Sequence, residues 1–344
     1  MSNPTRPLPD HLLRLFEAGL RRRRQGPVGR YAPSPTGQLH RGNLSTALLS
    51  WLVTRLQGGE WLLRIDDLDR PRNRQGVAEA ILADLDWLGL GWDGAPLLQS
   101  QRRGLYASTL SWLRRSGALY PCRCSRRLLA DISAPHCAFA VYPGTCTGLD
   151  AAWGPIGGRL PSWRLRLASG RLRWQDRLAP AGDLDGPSQV GDVVLRRADG
   201  LVAYHLATAV DELSLGISDV VRGHDLWPAT AAQVAVMAVL GVASPPAYWH
   251  GPLLLDGSGQ RLAKRSGAEG LLALREQGLD GPAVVGLLAA ELDLLPRGSR
   301  ISAAELLAEL QSQPLAPTEG LTIEAALRRL VAAQLAAPQG PPQI

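Results

Sequence analysis

Residues Arg30 to Asn43 have the composition of a loop that holds a phosphate group. Gly37 and Gly42 let the backbone come close to a ligand, and His40 can add a hydrogen-bond donor between them. Gly42 also lies where an apolar helix is expected to begin, so unpaired N–H groups and the helix dipole would face the same point. We therefore predict a nucleotide-binding loop, although it has neither the Walker spacing nor the dinucleotide fingerprint.

This loop requires a strand before it and a helix after it. The apolar pattern predicts a strand over Pro27 to Tyr31 and a helix over Leu44 to Leu56. Pro33 and Pro35 end the strand, because proline can neither join a sheet ladder nor continue a helix. The loop is thus expected at the carboxyl end of a strand.

All four cysteines lie in one short segment, as Cys122, Cys124, Cys137 and Cys146. Clustered cysteines in a cytosolic chain of this size more often bind a metal than form disulfides. A Cys-x-Cys pair followed by two cysteines is a moderate metal signal. Reduced cysteines without a metal stay the alternative.

Strand and helix patterns alternate over most of the chain, which favours a parallel sheet with crossover helices. Ligands bind such sheets at the carboxyl ends of the strands. The segments predicted after the loop are a strand over Trp61 to Asp66, helices near 75–88 and 101–117, a strand over Ile217 to Arg222, a helix near 228–241 and a strand over Tyr248 to Leu255.

Residues 122–185 interrupt this alternation with the cysteines, with Gly- and Pro-rich turns and with two short strands, Trp163 to Leu167 and Arg171 to Trp174. We predict five parts from these changes. They are an N-terminal extension (1–26), the first half of an α/β domain (27–121), an inserted module (122–185), the second half (186–267) and a helical C-terminal region with a disordered end (268–344).

The chain has 344 residues and a formal net charge of +6, with many more arginines than lysines. Such a charge balance suits a polyanionic partner. The excess of arginine over lysine could instead result from a GC-rich genome. No apolar run approaches the ~18 residues of a membrane span. The basic run Arg21 to Arg24 follows the apolar segment Leu12 to Leu20, opposite to a signal peptide, so we expect a cytoplasmic protein. A helix over His11 to Leu20 is predicted, with the basic run as a solvated tail or a nucleic-acid contact.

Four segments resemble, in order, the landmarks of class I aminoacyl-tRNA synthetases in the form carried by glutamyl enzymes. Ala32 to Asn43 resembles the HIGH segment, and Arg64 to Asp69 the strand and turn that follow it. Val220 to Leu226 resembles a later segment, and Arg261 to Arg265 stands at the KMSKS position. The match departs from the family pattern at Arg261, where lysine is usual, at Ala263, where serine is usual, and at Asp66, where glutamate is expected.

The resemblance implies a Rossmann-like parallel-sheet α/β catalytic domain with a zinc-bearing insertion and a short helical C-terminal region. About 80 residues follow Lys264, too few for an anticodon-binding domain. The chain is similar to a shortened branch of the family that activates L-glutamate with ATP and without tRNA. That branch transfers the glutamate to queuosine at the wobble position of tRNA(Asp), so the implied partners are ATP with Mg²⁺, L-glutamate and the anticodon stem-loop of that tRNA. A monomer is expected.

The resemblance also assigns residues to roles. His40 and Lys264 would act in catalysis on the ATP phosphates, and Gly42 and Asn43 would complete the ATP site. The residues implied for glutamate are Arg30, Tyr31, Ala32, Pro33, Ser34, Asp66, Tyr204 and Arg222. Arg30, Arg222 and the Tyr204 hydroxyl would hold the side-chain carboxylate, and Asp66 the ammonium group. The alternatives are a capping or core role for His40, a surface charge for Lys264, and an ion pair of Arg222 with Asp219 or Asp225.

One structural zinc ion is implied at Cys122, Cys124, Tyr142 and Cys146, which would close a four-coordinate site. Cys137, next to His136, competes with Tyr142 for the fourth position. Three other functions stay open. They are a compact glutamyl-tRNA synthetase that charges tRNA(Glu), a catalytically inactive zinc-bearing tRNA-binding protein, and a nucleotidyltransferase for a small molecule.

Overall fold

The structure is a computed structural model that describes residues 6–125, 141–242, 244–253, 270–312 and 322–336. The strands are β1 Val28–Tyr31, β2 Glu60–Ile65, β3 Leu97–Leu98, β4 Leu119–Cys122, β5 Ser162–Leu165, β6 Arg171–Trp174, β7 Gly182–Asp185, β8 Val193–Arg196, β9 Asp219–Gly223 and β10 Ala247–Gly251. The helices are α1 Asp10–Gln25, α2 Arg41–Leu56, α3 Val77–Trp87, α4 Arg103–Arg115, α5 Tyr204–Leu215, α6 Trp227–Val239, α7 Leu271–Glu276, α8 Gly281–Glu291, α9 Ala303–Ser312 and α10 Thr322–Ala336.

A five-stranded sheet in the order β10-β9-β1-β2-β3 forms the centre of the molecule. Every neighbouring pair in it is parallel, which confirms the predicted fold class. The whole inserted module lies between β1 and β9 in sequence, yet Gly29 pairs with Asp219. The sheet therefore brings the carboxyl ends of β1, β2 and β9 together on one side of the molecule.

Helix α2 crosses over from β1 to β2 and is buried along most of its length. Leu44, Leu48 and Leu52 are fully buried at helical spacing. β1 approaches α2 so closely that a Cβ on Gly29 would lie 1.9 Å from the Thr54 hydroxyl. The helix that follows the predicted nucleotide loop therefore packs closely against the sheet.

The inserted module contains a three-stranded antiparallel sheet in the order β4-β5-β8 and the hairpin β6-β7. This sheet extends beyond both ends of the predicted 122–185 interval, because β4 and β8 both pair with β5. After β6 the chain reaches the parallel sheet, where Tyr248 N donates to Gln175 O at 3.0 Å and Arg177 N to Tyr248 O at 2.8 Å. The module is therefore attached to the edge strand β10 as well as to its own ends.

The N-terminal basic run is part of a docked helix and is not a free tail, although Arg21 and Arg24 are exposed to solvent. Helix α1 packs against α5, with Leu12 fully buried and Phe16 only 3% exposed. In the basic run, Arg22 forms an ion pair with Glu60, and Arg23 donates to Ser244 O at 3.0 Å. Burial lowers the pKa of Arg23. An apolar face on a short helix is thus enough to fix this segment to the domain.

The described C-terminal helices also belong to the main core. Ile323, Leu327 and Val331 of α10 are buried in the cluster that contains Leu44 and Leu48 of α2. Among the helices that the structure describes, none has the length and apolar character needed to cross a membrane.

Candidate active site

A cavity of about 470 Å³ opens at the carboxyl ends of β1, β2 and β9. Its wall contains all eleven described residues that the sequence assigned to ATP or glutamate. These are Arg30, Tyr31, Ala32, Pro33, Ser34, His40, Gly42, Asn43, Asp66, Tyr204 and Arg222. Lys264, Arg261 and Ala263 lie outside the described residues, so their placement stays a prediction.

The loop from Ala32 to His40 is held by its neighbours in the sheet edge. Pro33 O accepts from Asp66 N, and Pro35 O from Arg74 N, both at 2.9 Å. The loop is therefore bound to the turn after β2, although its prolines cannot extend the ladder.

His40 occupies the N-cap position of α2, and its N–H donates to Asn43 Oδ1 at 3.4 Å. A Cβ on Gly42 would lie 3.2 Å from two atoms of the His40 ring, so glycine leaves room for the imidazole. The capping role and a role toward a ligand thus coincide at His40, because the capped helix end faces the cavity.

Arg30 lies at the end of β1 and is only 4% exposed. Its Nε donates to Glu212 Oε1 at 3.0 Å, and its Nη1 to Val221 O at 3.1 Å. Glu212 is 1% exposed, so the guanidinium is compensated by a buried carboxylate. This pairing fixes Arg30 at the cavity wall.

Asp66 follows β2 and is bound by the buried Arg64, whose Nε and Nη2 donate to the two carboxylate oxygens at 2.7 and 3.2 Å. Burial raises the pKa of Asp66 to about 6, although Arg64 acts in the opposite direction. The guanidinium of Arg64 also lies 3.6 Å from Asp211 and 3.8 Å from Glu212. Asp66 is therefore one carboxylate of a buried charged network that borders the cavity.

Arg222 is the last residue but one of β9 and is 5% exposed. Its three nitrogens donate to neutral groups: Nε to His250 Nε2 at 3.0 Å, Nη1 to Gln233 at 2.8 Å and Nη2 to Thr230 at 2.6 Å. These contacts take the place of the ion pair with Asp219 or Asp225 that the sequence left open. Among the described residues, Arg222 therefore forms no ion pair with a carboxylate.

The sequence did not identify several residues that support this wall. Arg64, Asp211 and Glu212 form the buried network, and Asp176 and His250 lie behind Arg222. One signal was available: Asp211 and Glu212 are adjacent acidic residues within an apolar helix, and buried acids require partners. For Asp176 and His250 no local pattern exists.

The described cysteines form a separate buried cluster at the end of β4. The sulfurs of Cys122, Cys124 and Cys146 all lie within 4.8 Å of one another. The Tyr142 hydroxyl lies 3.4 Å from Cys122 Sγ and 3.6 Å from Cys124 Sγ. Ligands bound ~2.3 Å from a tetrahedral ion are ~3.8 Å apart, so this set fits a metal ion of that geometry. Cys137 and His136 lie outside the described residues.

The pKa values of Cys146, Cys124 and Tyr142 are shifted from their ordinary values in different directions. Burial opposes ionisation of Cys146, but hydrogen bonds from Tyr142 and Arg123 outweigh it and lower the pKa of this thiol to about 7. Burial raises the pKa of Cys124. Burial and hydrogen bonds to the sulfurs raise the pKa of Tyr142.

Comparison with known proteins agrees with this geometry. Residues 28–138 and 163–283 match the family of class I tRNA synthetases (E and Q), catalytic domain. The chain is 60% identical over 305 residues to the glutamyl-Q tRNA(Asp) synthetase of Parasynechococcus marenigrum (strain WH8102), across 88% of this chain and 96% of the relative. The chain belongs to the glutamyl-Q tRNA(Asp) synthetase family. Membership makes it a ligase of the class I synthetase type.

Relatives of the glutamyl-Q tRNA(Asp) synthetase family also occur in distant bacteria. The protein of that name from Nocardia farcinica is 46% identical over 288 residues, which cover 83% of this chain and 89% of the relative. The resemblance inferred from the four sequence segments is therefore confirmed.

Solved structures share the fold. A glutamate tRNA ligase from Elizabethkingia meningosepticum, crystallised with its amino acid, superposes with a TM-score of 0.66 at 23% identity. The glutamate-tRNA synthetase from Elizabethkingia anophelis gives 0.67 at 23% identity. Both matches cover 82% of this chain, which spans 64% and 65% of the two longer proteins.

Proposed function

We propose that this chain activates L-glutamate with ATP in the absence of tRNA and transfers it to queuosine at the wobble position of tRNA(Asp). The observation that carries the proposal is the shared cavity. Arg30 and Arg222 line it together with the His40 loop and the start of α2. Relatives with 60% and 46% identity bear the name of this activity.

Adenylation joins the glutamate α-carboxylate to the α-phosphorus of ATP, and pyrophosphate leaves. Little proton transfer is needed, so positioning and positive potential supply most of the catalysis. His40 and the first N–H groups of α2 would bind phosphate oxygens, with Gly42 and Asn43 in the same turn. Mg²⁺ that accompanies ATP would screen the phosphate charge.

The glutamate half-site is selected by charge. Arg222 and Arg30 are buried cations at the wall, and the Tyr204 hydroxyl can add a donor. A carboxylate side chain gains charge-assisted hydrogen bonds there that an uncharged amide cannot match. Asp66 would take the ammonium group, and the loop residues Tyr31 to Ser34 would fit around the amino acid backbone.

Lys264 would hold the departing pyrophosphate. Leu253 lines the cavity and Gly270 pairs with His40, so the chain leaves this site before Lys264 and returns to it afterwards. Lys264 is also the single lysine among the 37 lysine and arginine residues of the chain. A position that keeps lysine where arginine is used everywhere else points to a requirement for the compact ammonium group.

The single lysine offers a direct test. Reductive ¹³C-methylation should give one side-chain signal in addition to the N-terminus, and ATP with glutamate should shift it. Lys264→Ala and Lys264→Arg should both slow glutamate-dependent pyrophosphate exchange, the first by about 100-fold, as for a lost transition-state contact. An unshifted signal together with full activity of Lys264→Ala would exclude this role.

The principal experiment first measures glutamate-dependent exchange of pyrophosphate into ATP without tRNA. It then compares the labelling of tRNA(Asp) with queuosine, tRNA(Asp) without queuosine and tRNA(Glu). We expect exchange without tRNA and labelling of queuosine-containing tRNA(Asp) only. Labelling of tRNA(Glu), with exchange that requires it, would instead indicate a glutamyl-tRNA synthetase. Binding of tRNA without exchange would indicate an inactive tRNA-binding protein. Exchange without labelling of any of the three tRNAs would indicate a nucleotidyltransferase for a small molecule. A monomeric state and a cytoplasmic location are part of the same proposal.

Zinc is the metal proposed for the cysteine centre. Cys122, Cys124, Cys146 and Tyr142 would hold it in a closed four-coordinate site. A closed site of this kind stabilises the fold and takes no part in the reaction. Cys122 ends β4 and the other three residues follow it in the inserted module, so the ion would stabilise that module.

A further inference from the structure

Behind Arg222 lies a buried chain of polar groups that the reaction itself does not use. His250 is fully buried on β10, and its Nδ1 is paired with Asp176 Oδ2. Its other nitrogen, Nε2, accepts from Arg222 Nε at 3.0 Å and lies 3.2 Å from the Thr230 hydroxyl. An imidazole that accepts at Nε2 must carry its proton on Nδ1 and must be neutral.

From this geometry we infer that His250, oriented by Asp176, is a positioning residue that sets Arg222 for the glutamate carboxylate. The inference rests on the proposed function and assigns a second layer of residues to its glutamate site. His250 does not line the cavity, so it would act through Arg222 alone.

The hydrogen-bond count of Arg222 supports this role. A guanidinium has five N–H donors, and among the described residues Arg222 uses three of them, on His250, Gln233 and Thr230. Two N–H groups remain, one on each Nη, which is the number that a bidentate carboxylate accepts. His250 holds the Nε end, so the remaining donors keep a fixed direction.

Burial and several neighbouring groups affect the protonation of His250. Burial and the positive charge of Arg222 lower the pKa of His250 to about 4, against the effect of Asp176. His224 lies edge-on to the ring at 6.3 Å, and Tyr248 stacks on it at 5.7 Å. A protonated His250 would turn Nε2 into a donor facing Arg222 and would remove the contact.

Asp176 connects this arrangement to the inserted module. It follows β6, where Gln175 and Arg177 pair with Tyr248, and its Oδ1 accepts from Leu178 N at 3.1 Å and Ala179 N at 2.9 Å. The carboxylate is therefore held by the backbone of its own turn. The module thereby reaches the glutamate pocket through Asp176, His250 and Arg222.

Two substitutions separate the contacts of the imidazole. His250→Asn keeps a donor near Asp176 but cannot reach Arg222. His250→Gln can place its side-chain carbonyl where the imidazole Nε2 lies in the wild type, and can there accept from Arg222. We expect His250→Asn to raise the KM for glutamate about tenfold or more in pyrophosphate exchange, the usual effect of a lost hydrogen bond to a charged group. The KM for ATP should stay within about twofold, and His250→Gln should recover most of the glutamate affinity.

Thr109→Val serves as the control, because Thr109 is fully buried in α4 and donates only within its own helix, to Leu105 O. It should leave both KM values unchanged. An unchanged KM for glutamate in His250→Asn, or an equal rise in both KM values, would overturn the inference.

The histidine tautomer gives a readout that does not need activity. ¹⁵N NMR of histidine-labelled protein should show His250 neutral and protonated at Nδ1 between pH 6 and 8, a window above its pKa of about 4. A proton on Nε2 would contradict the inference even in an active enzyme. If the wild-type protein shows no exchange, the proposed function fails, whereas a proton on Nε2 in an active enzyme overturns only the inference about His250.

Discussion

Buried charges at the cavity wall occur in compensated groups. Arg30 and Arg64 face Glu212, Asp66 and Asp211, and Asp211 is also bound by Arg102 Nε at 2.8 Å. Removing one member of such a group leaves an unpaired buried charge, which costs more than the pair contributes. The wall can therefore present cations to a carboxylate substrate while the fold remains stable.

Asp66 should make glutamate binding depend on pH. Its pKa is about 6, and only the ionised carboxylate can bind the ammonium group. As the pH falls below this value, the KM for glutamate should rise by up to about tenfold per pH unit. Asp66→Asn should have a high KM without this dependence. Asp84→Asn, which removes another carboxyl of raised pKa away from the cavity, should keep it.

The same group contributes to stability with a defined sign. The folded pKa of about 6 lies above the ordinary 3.8, so the folded protein retains this proton between those values. The contribution is fully present below pH 3.8 and is lost as the pH rises to 6. Denaturant titrations give the free energies of unfolding of wild type and Asp66→Asn at each pH. The difference between the two should change with pH inside this window and stay constant outside it.

At the scale of elements, α10 holds the chain where it leaves the cavity. Gln334 donates to Leu253 O at 2.7 Å and accepts from Leu253 N at 2.9 Å. The side chain of Leu253 lies over Gly223, next to Arg222, because a Cβ on Gly223 would come within 3.1 Å of it. The C-terminal helix therefore contributes to the shape of the site.

Gln334→Ala should lose both hydrogen bonds to Leu253, a loss of about 1–3 kcal/mol. We expect pyrophosphate exchange to slow several-fold with little change in the secondary structure seen by circular dichroism. Gln311→Ala, at an exposed glutamine of α9, is the matched control. Equal rates for the two variants would show that the contact does not affect the site.

Helix α1 should contribute measurably to stability. Phe16 is 3% exposed and packs in the cluster with Leu206 and Val210, whereas Leu13 on the same helix is 41% exposed. Phe16→Ala should lower the free energy of unfolding by about 3–5 kcal/mol. Leu13→Ala should change it by less than about 0.5 kcal/mol. Similar midpoints in denaturant would mean that α1 is not docked in solution.

At the scale of the whole molecule, the inserted module meets the catalytic domain through β4, through β8, through the segment Gln175 to Arg177 on β10 and through the contact of Trp174 with Trp227 of α6. The cysteine centre lies at the start of this module. Loss of a structural metal should therefore loosen a unit that also supplies Asp176 to the glutamate site.

The purified protein should contain one zinc ion per chain by elemental analysis. Cys124→Ser and Tyr142→Phe should reduce this content and lower the melting temperature by about 5 °C or more, because bound metal adds to folding free energy. Cys137→Ser should retain the metal. Loss of zinc in Cys137→Ser with full retention in Tyr142→Phe would make Cys137 the fourth ligand.

The sequence by itself determined the parallel sheet and the order of its motifs, and its family resemblance assigned eleven of the described residues that line the cavity. These residues lie at the ends of strands, in the loop after β1 or at the starts of helices, so proline, glycine and strand patterns in the local sequence indicate where they meet. The tertiary structure alone decided the docking of α1, the contact of Gln334 with Leu253, and the chain from Asp176 through His250 to Arg222. Asp176 and His250 are 74 residues apart, and such a pair leaves no periodic signal in either segment. Their partnership exists only because the inserted module packs against the edge of the sheet.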